Sequence, residues 1–130
     1  MKVVSVKPVI TYKDLDKIDI RVGTIEEVID IEKSDKLVKL IVNFGDQIDA
    51  SGLVTRCKRQ IVVGLKKERE NPKEIEGKQA LFVVNLEPKE MMWVKSEGML
   101  FDIGHADGIT PVLAVPERLV PDGTRAGLEL

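Results

Sequence analysis

One helix-start signal set among five short strand-like runs constrains this chain more than any other feature. Ile18, Ile20 and Val22 alternate with Asp19, Arg21 and Gly23, the spacing of a strand with one buried face. Gly23 within that run marks a bulge or a tight bend, and the run continues to about Ile31. After a turn at Glu32-Lys33-Ser34-Asp35, a second strand begins at Lys36, with Val38, Leu40, Val42 and Phe44 on one face. Gly45-Asp46 ends it. Segment 46–56 reads as either a loop or a short added hairpin. Cys57 to Leu65 is a third strand around the β-branched run Ile61-Val62-Val63. Then comes Asn71-Pro72-Lys73-Glu74-Ile75, an N-cap followed by proline at the first helical position, with Gly77 to stop it. Gln79–Leu86 and Gly98–Ile103 are the fourth and fifth strands. Residues 109–115 and 118–128 read as further short extended segments, punctuated by Pro111, Pro116 and Pro121.

Helical content this low excludes a βαβ protein, and turn signals at short spacing favour a small all-β barrel. A short helix between the third and fourth strands is the signature of the OB-fold, a five-stranded Greek-key barrel. The expected fold is that barrel with a C-terminal extension. The chain's 130 residues make one domain, divided here into an extension over 1–12 and a barrel domain over 13–130. The extension, with Pro8, reads as an edge strand or a loosely held arm. Asp14-Leu15-Asp16 opens one helical turn. Aromatic residues are only 4% of the chain, so the core must be built from Val, Ile and Leu.

The reactive side chains exclude most chemistry. One Cys (Cys57) and one His (His105) are too few for a zinc ribbon or finger. No GxGxxG, Walker A or HExxH motif occurs. Ser96 has no base near it in sequence, and His105 lies in a turn-like stretch. No catalysis, cofactor or metal is expected. A lone cysteine fits a reducing cytoplasm. No signal-peptide core and no apolar run near about 18 residues occurs, so no membrane partner is expected.

The net charge of −2 hides a gradient. Residues 56–69 hold six bases and one acid, whereas residues 12–35 hold eight acids and four bases. The basic stretch is either a polyanion-binding face or a solvated strand edge kept soluble by its lysines. Cys57 lies within it, between Arg56 and Lys58, and reads as a half-buried strand cysteine. Met91-Met92-Trp93 is equally two-sided: it caps one barrel end, or it forms an exposed platform for a base or an apolar partner.

Five blocks can now be read together: Asp19-Ile20-Arg21-Val22-Gly23, Ser34-Asp35-Lys36-Leu37, Arg59-Gln60-Ile61-Val62-Val63-Gly64-Leu65, Asn85-Leu86-Glu87-Pro88-Lys89-Glu90-Met91 and Ser96-Glu97-Gly98-Met99-Leu100. In this order, over roughly residues 14–128, they resemble the tRNA-binding domain found at the C-terminus of bacterial methionyl-tRNA synthetases and in free-standing dimeric tRNA-binding proteins. The resemblance implies a homodimer joined through strands near the C-terminus, binding tRNA by shape and backbone. It implies RNA contacts at Lys36, Arg59, Lys89 and Ser96, with Asn85 a structural or contact residue in the same loop. The chain departs from the family at Glu87, where Lys is frequent. Met92-Trp93 stands where a basic residue and Gly are common, and Val63 where Ser is usual. Secretion-chaperone relatives share the barrel and the dimer, and Asn43-Phe44-Gly45 and Ser96-Glu97 resemble that branch. Gly98-Met99 and Val63-Gly64-Leu65 resemble the tRNA-binding branch. The expected function is therefore non-catalytic, structure-specific tRNA binding by a cytoplasmic homodimer, free-standing or accessory to a synthetase. The alternative is a dimeric chaperone for unfolded or exported peptides, with Met91, Met92 and Trp93 as its platform.

Overall fold

The computed structural model describes residues 4–127. In chain order the strands are β1 (Ile20–Asp30), β2 (Val38–Ile48), β3 (Val54–Val63), β4 (Gln79–Val83), β5 (Lys89–Met91), β6 (Val94–Ser96), β7 (Met99–Leu100), β8 (Asp102–Ile103), β9 (Val112–Leu113) and β10 (Arg125–Ala126). A four-residue helix, α1 (Tyr12–Leu15), precedes them. Single 3-10 turns occur at Pro72–Ile75 and His105–Asp107. The chain is all-β, as expected. Residues 4–11 carry neither helix nor strand, and Val6 and Val9 are almost fully exposed. The first helix starts two residues before the expected turn because Thr11 caps it. Its hydroxyl accepts from the Asp14 amide, and the Asp14 carboxylate accepts from the Thr11 amide.

The main sheet runs β3-β2-β1-β4-β7, all antiparallel. β10 joins β1 beside the end of β2, pairing Ile20 with Ala126 and Arg21 with Arg125. β5–β6 and β8–β9 are separate hairpins or pairs. The expected fifth strand is split at Phe101, with β7 pairing β4 and β8 pairing β9. Among the described residues the ladder does not close. Instead, the two ends of the sheet meet through individual hydrogen bonds. The Glu97 amide donates to the Gln60 carbonyl at 2.9 Å, and the Val62 amide donates to the Ser96 hydroxyl at 3.0 Å.

Two expectations need correction. Gly23 is not at a bulge: it pairs regularly with Ala80, and the register of β1 shifts later, between Ile25 and Glu27. Its missing side chain serves packing, since a Cβ there would lie 2.6 Å from Val42 Cγ1 and 2.8 Å from Phe44 Cε1. Nor does Gly45-Asp46 end the second strand. Gly45 sits at φ +73°, and β2 passes through it as an irregularity between Asn43 and Asp46. Segment 46–56 is therefore a continuation of the β2–β3 hairpin. Its turn is organised by Asp49, whose carboxylate accepts from the Ser51 amide and hydroxyl and from the Leu53 amide. These bonds, led by the Ser51 hydroxyl, lower the Asp49 pKa.

The core is aliphatic, as the composition requires. Ile25, Val28, Leu40, Val42, Ile61 and Ile75 are buried around one edge-to-face pair, Phe44 and Phe82, with ring centroids 5.3 Å apart. Ile75 explains why the Pro72 turn docks on the sheet. Its side chain is fully buried, which contributes about 1.5–3 kcal/mol. Gly77, at φ +86°, ends the turn as expected.

Candidate nucleic-acid interface

Two exposed loops meet at one end of the sheet. The first lies between β1 and β2. There the Ser34 hydroxyl accepts from the amides of Lys36 and Leu37 at 3.3 and 3.0 Å, a local turn that leaves Lys33 and Lys36 exposed. The second is the β5–β6 hairpin, which pairs Lys89 with Ser96, Glu90 with Lys95 and Met91 with Val94. Lys33 Nζ lies 5.8 Å from the centroid of the Trp93 ring, so the loops touch.

The hairpin loop is the two residues Met92 and Trp93, at φ 51° and 64°. Positive φ at both central positions is a type I′ turn, which suits Asn-Gly. A side chain in the left-handed region costs about 1–2 kcal/mol. Trp93 recovers little of this by packing, because 83% of it is exposed. Met92 is also exposed, while Met91 is half-buried on the side of the body.

The sequence-predicted contact residues fall into two groups. Lys36 and Lys89 are exposed on the two loops and make no ion pair among the described residues. Arg59, Asn85 and Ser96 are engaged by the fold. Arg59 Nη1 donates to the carbonyls of Val84 at 2.5 Å and Glu97 at 3.2 Å, with its guanidinium 5.9 Å above the Phe44 ring. Asn85 accepts from the Asp19 amide at 2.8 Å and donates to the Lys17 carbonyl at 2.6 Å. Ser96 is buried, with its hydroxyl shared between the Val62 amide and the Gly98 carbonyl. Asp19 in turn accepts both Arg21 Nε and Nη2, with Arg125 Nε 3.4 Å away. The Arg21 hydrogen bond is the main reason its carboxyl sits below the ordinary range.

The charge gradient in the sequence is largely folded away. Lys58 pairs with Glu26 at 2.9 Å and Lys67 with Asp35 at 3.5 Å. Lys66 pairs with Asp30 and donates to the carbonyls of Ile31 and Ser34. Arg69 pairs with Glu74 at 2.5 Å. The basic third-strand stretch thus lies against the acidic β1–β2 stretch. The lysines left without an acid at this end are Lys33, Lys36, Lys89 and Lys95. Lys33 and Lys95 were not singled out by sequence. Their signal is position: Lys33 lies in the β1–β2 loop and Lys95 in β6, two residues after Trp93. Glu32 and Glu90 share these loops, and Asp35 is already paired with Lys67, so the positive charge is only partly offset.

Other features assemble no catalytic set. A cavity of about 180 Å³ lies among Val62, Leu65, Glu68, Arg69, Leu100 and Asp102. Burial, and then the Asp102 charge, raise the Glu68 pKa there. Cys57 is half-buried against the core, and His105 is exposed in its turn. Among the described residues no cluster of three His, Cys, Asp or Glu side chains could hold a metal ion. Among the described residues no helix is long and apolar enough to cross a membrane.

Known proteins agree with this architecture. Residues 20–125 match the family model described as "Putative tRNA binding domain". The methionine–tRNA ligase of Archaeoglobus fulgidus is 38% identical over 119 residues, covering 92% of this chain and 16% of the ligase. This chain thus spans about one-sixth of that enzyme's length. A MetRS-related protein from Pyrococcus horikoshii superposes with a TM-score of 0.77 at 32% identity, covering 93% of this chain and 100% of that protein. The chaperone CsaA from Bacillus anthracis superposes with a TM-score of 0.71 at 25% identity, covering 92% of this chain and 100% of the chaperone. With a family match across most of its length and a structural relative of its own size, this chain belongs to the tRNA-binding domain family.

Proposed function

We propose that this chain is a non-catalytic, structure-specific tRNA-binding module of the cytoplasm that acts as a homodimer, on its own or beside an aminoacyl-tRNA synthetase. Its domain is an OB-fold barrel over residues 13–130, with 1–12 as an extension. The seam of that barrel is the set of bonds from β3 to Ser96 and Glu97. The observation that carries the functional reading is the pairing pattern. In a family of tRNA-binding domains, the lysines without acid partners at this end gather on the two loops that touch. Ammonium groups on a rigid scaffold match the fixed phosphates and 2′-hydroxyls of a folded RNA without reading base edges. Lys36 and Lys89 are the proposed phosphate contacts. Arg59, Asn85 and Ser96 act chiefly by holding the loops in place. So few lysines predict shallow salt dependence, with a slope of log K against log salt no steeper than about −3.

One observation favours a second reading. CsaA, named as a chaperone, shares the whole architecture, and Met92-Trp93 gives this chain an exposed apolar tip. On that reading the hairpin captures unfolded or exported peptides. Binding of purified protein to bulk tRNA, to duplex DNA and to an unfolded-protein peptide, at two salt concentrations, separates the two. Micromolar or tighter tRNA binding that weakens with salt and outcompetes DNA supports the first. If tRNA binds no better than DNA while peptide binds with little salt dependence, the chaperone reading replaces it.

A further inference from the structure

The tip of the β5–β6 hairpin is more specific than a phosphate grip requires. Met92 and Trp93 are the only non-glycine residues with positive φ among those described. The fold gains little from tryptophan here, since the residue is 83% exposed, with the Lys33 ammonium 5.8 Å from the ring centroid. Strain retained at an exposed aromatic residue points to a use outside the fold. The resemblance gives Gly as the common residue at this position, so the ring is a feature of this chain.

We propose that Trp93 is a stacking platform for one unpaired base of a structured RNA, with Lys33 beside the ring to meet the adjoining phosphate. This rests on the tRNA-binding reading and adds a base-stacking subsite to it. Two observations select a base over a peptide side chain. Peptide recognition uses grooves with pockets for side chains, but the cavities lined from Val62 to Leu113 and from Gln47 to Glu97 do not include residues 91–95. A base needs only an exposed flat ring, which Trp93 presents. Secondly, the acids in the two loops offset part of the phosphate attraction, so a charge-independent term would add to the affinity that the lysines supply. Stacking on an aromatic side chain is such a term. The platform favours RNAs with a splayed loop or end nucleotide over uninterrupted duplexes of equal charge.

Trp93 is the chain's single tryptophan, so its emission reports this site alone. The intact protein is titrated with bulk tRNA, with a blunt RNA duplex and with an unfolded-protein peptide. Binding is followed both by tryptophan emission and by an emission-independent filter assay. Trp93→Gly and Trp93→Phe are compared with the parent, and their unfolding midpoints are recorded. tRNA is expected to quench the emission. Trp93→Gly should lose about tenfold or more in tRNA affinity without becoming less stable, and Trp93→Phe should retain most of it. Lys89→Ala tests the phosphate grip separately. If tRNA binds the filter, Lys89→Ala weakens it, but emission and Trp93→Gly affinity are unchanged, the platform is refuted and the tRNA reading stands. If tRNA does not bind the parent by either assay, the underlying reading fails and the platform with it. Quenching by the peptide but not by tRNA also overturns the proposal, assigning Trp93 to peptide capture.

Discussion

Truncating Arg59 distinguishes a scaffold residue from an RNA contact. The guanidinium is the cross-brace between β3 and the other end of the sheet. Arg59→Ala removes two charge-assisted hydrogen bonds, to the carbonyls of Val84 and Glu97, and the contact with the Phe44 ring. Val84 is itself buried, so its carbonyl loses a partner where water reaches it poorly. Hydrogen bonds to charged groups contribute about 1.5–3 kcal/mol each, and water recovers part of the loss. The ring contact adds about 0.5–1 kcal/mol. We expect a net destabilisation of about 3 kcal/mol. At an unfolding entropy of about 2.1 cal/mol/K per residue over 130 residues, that lowers the thermal midpoint by about 11 °C. The assay is thermal unfolding by circular dichroism, with tRNA affinity measured well below both midpoints. Arg59→Lys is the decisive companion. It keeps the charge that a phosphate contact needs, but a single ammonium cannot reproduce the planar fork. On the scaffold reading, Arg59→Lys is also destabilised. If Arg59→Ala melts within about 2 °C of the parent while its tRNA affinity falls tenfold and Arg59→Lys restores it, the reasoning is wrong and Arg59 is an RNA contact.

Ser96→Ala strips the buried Val62 amide of its acceptor and should cost about 1–3 kcal/mol, read as a lower urea midpoint at an unchanged slope. An unaltered midpoint would show that the seam does not depend on this hydroxyl. Lys36→Ala and Lys89→Ala should each weaken tRNA binding severalfold and flatten its salt slope by about 0.7–0.9, while shifting the thermal midpoint by less than about 2 °C. A loss of affinity with no change in slope would remove them as phosphate contacts. Asp19 is held below the ordinary carboxylate range chiefly by Arg21, with Arg125 adding to it and burial opposing it. Its contribution is therefore present above the unfolded pKa and is lost as pH falls through the lower folded value. Asp19→Asn should be less stable than the parent at pH 7, and the gap should begin to narrow as pH falls below the ordinary carboxylate range and close once it is below the lower folded value. A gap undiminished at pH 2 would mean that packing, not charge, holds this corner.

The strands were legible because their signal is local. The alternation from Ile18 to Val22 and from Val38 to Phe44 states which face is buried, and the Asn71-Pro72 start and Gly77 stop bracket the one turn that docks Ile75. Pairings set by distant segments were not legible. β10 joins β1 from about a hundred residues away, and nothing near Arg125 or Ala126 announces it. The bulge was misplaced because Gly23 carries the same letter whether it bends a strand or makes room for Phe44. The interface suffered a related error. A window along the chain counts the bases of 56–69 together, but their acids arrive from β1 and the following turn: Glu26, Asp30 and Asp35. Charge along a sequence predicts a face only when its neighbours in space are known.

The same comparison separates family from ligand. Asp19 and Arg21, Arg59, Asn85, and Ser96 belong to the blocks that carried the resemblance, and each is hydrogen-bonded within the fold. They tie β1 to β10, β3 to the end of β4, the end of β4 to the start of β1, and β3 to the segment after β6. They would be needed whatever this scaffold binds. Function resides in sites carried on a fold, and the sites proposed for this chain are the β1–β2 loop and the β5–β6 hairpin. Among the described residues, no side-chain hydrogen bond ties Lys33, Lys36, Lys89 or Trp93 to the body, so these side chains can change without unlocking the fold. This accounts for one architecture serving a MetRS-related protein and a protein named as a chaperone. Exchanging the hairpin tip between such scaffolds should therefore move ligand preference and leave stability nearly unchanged, whereas exchanging the blocks should do the reverse.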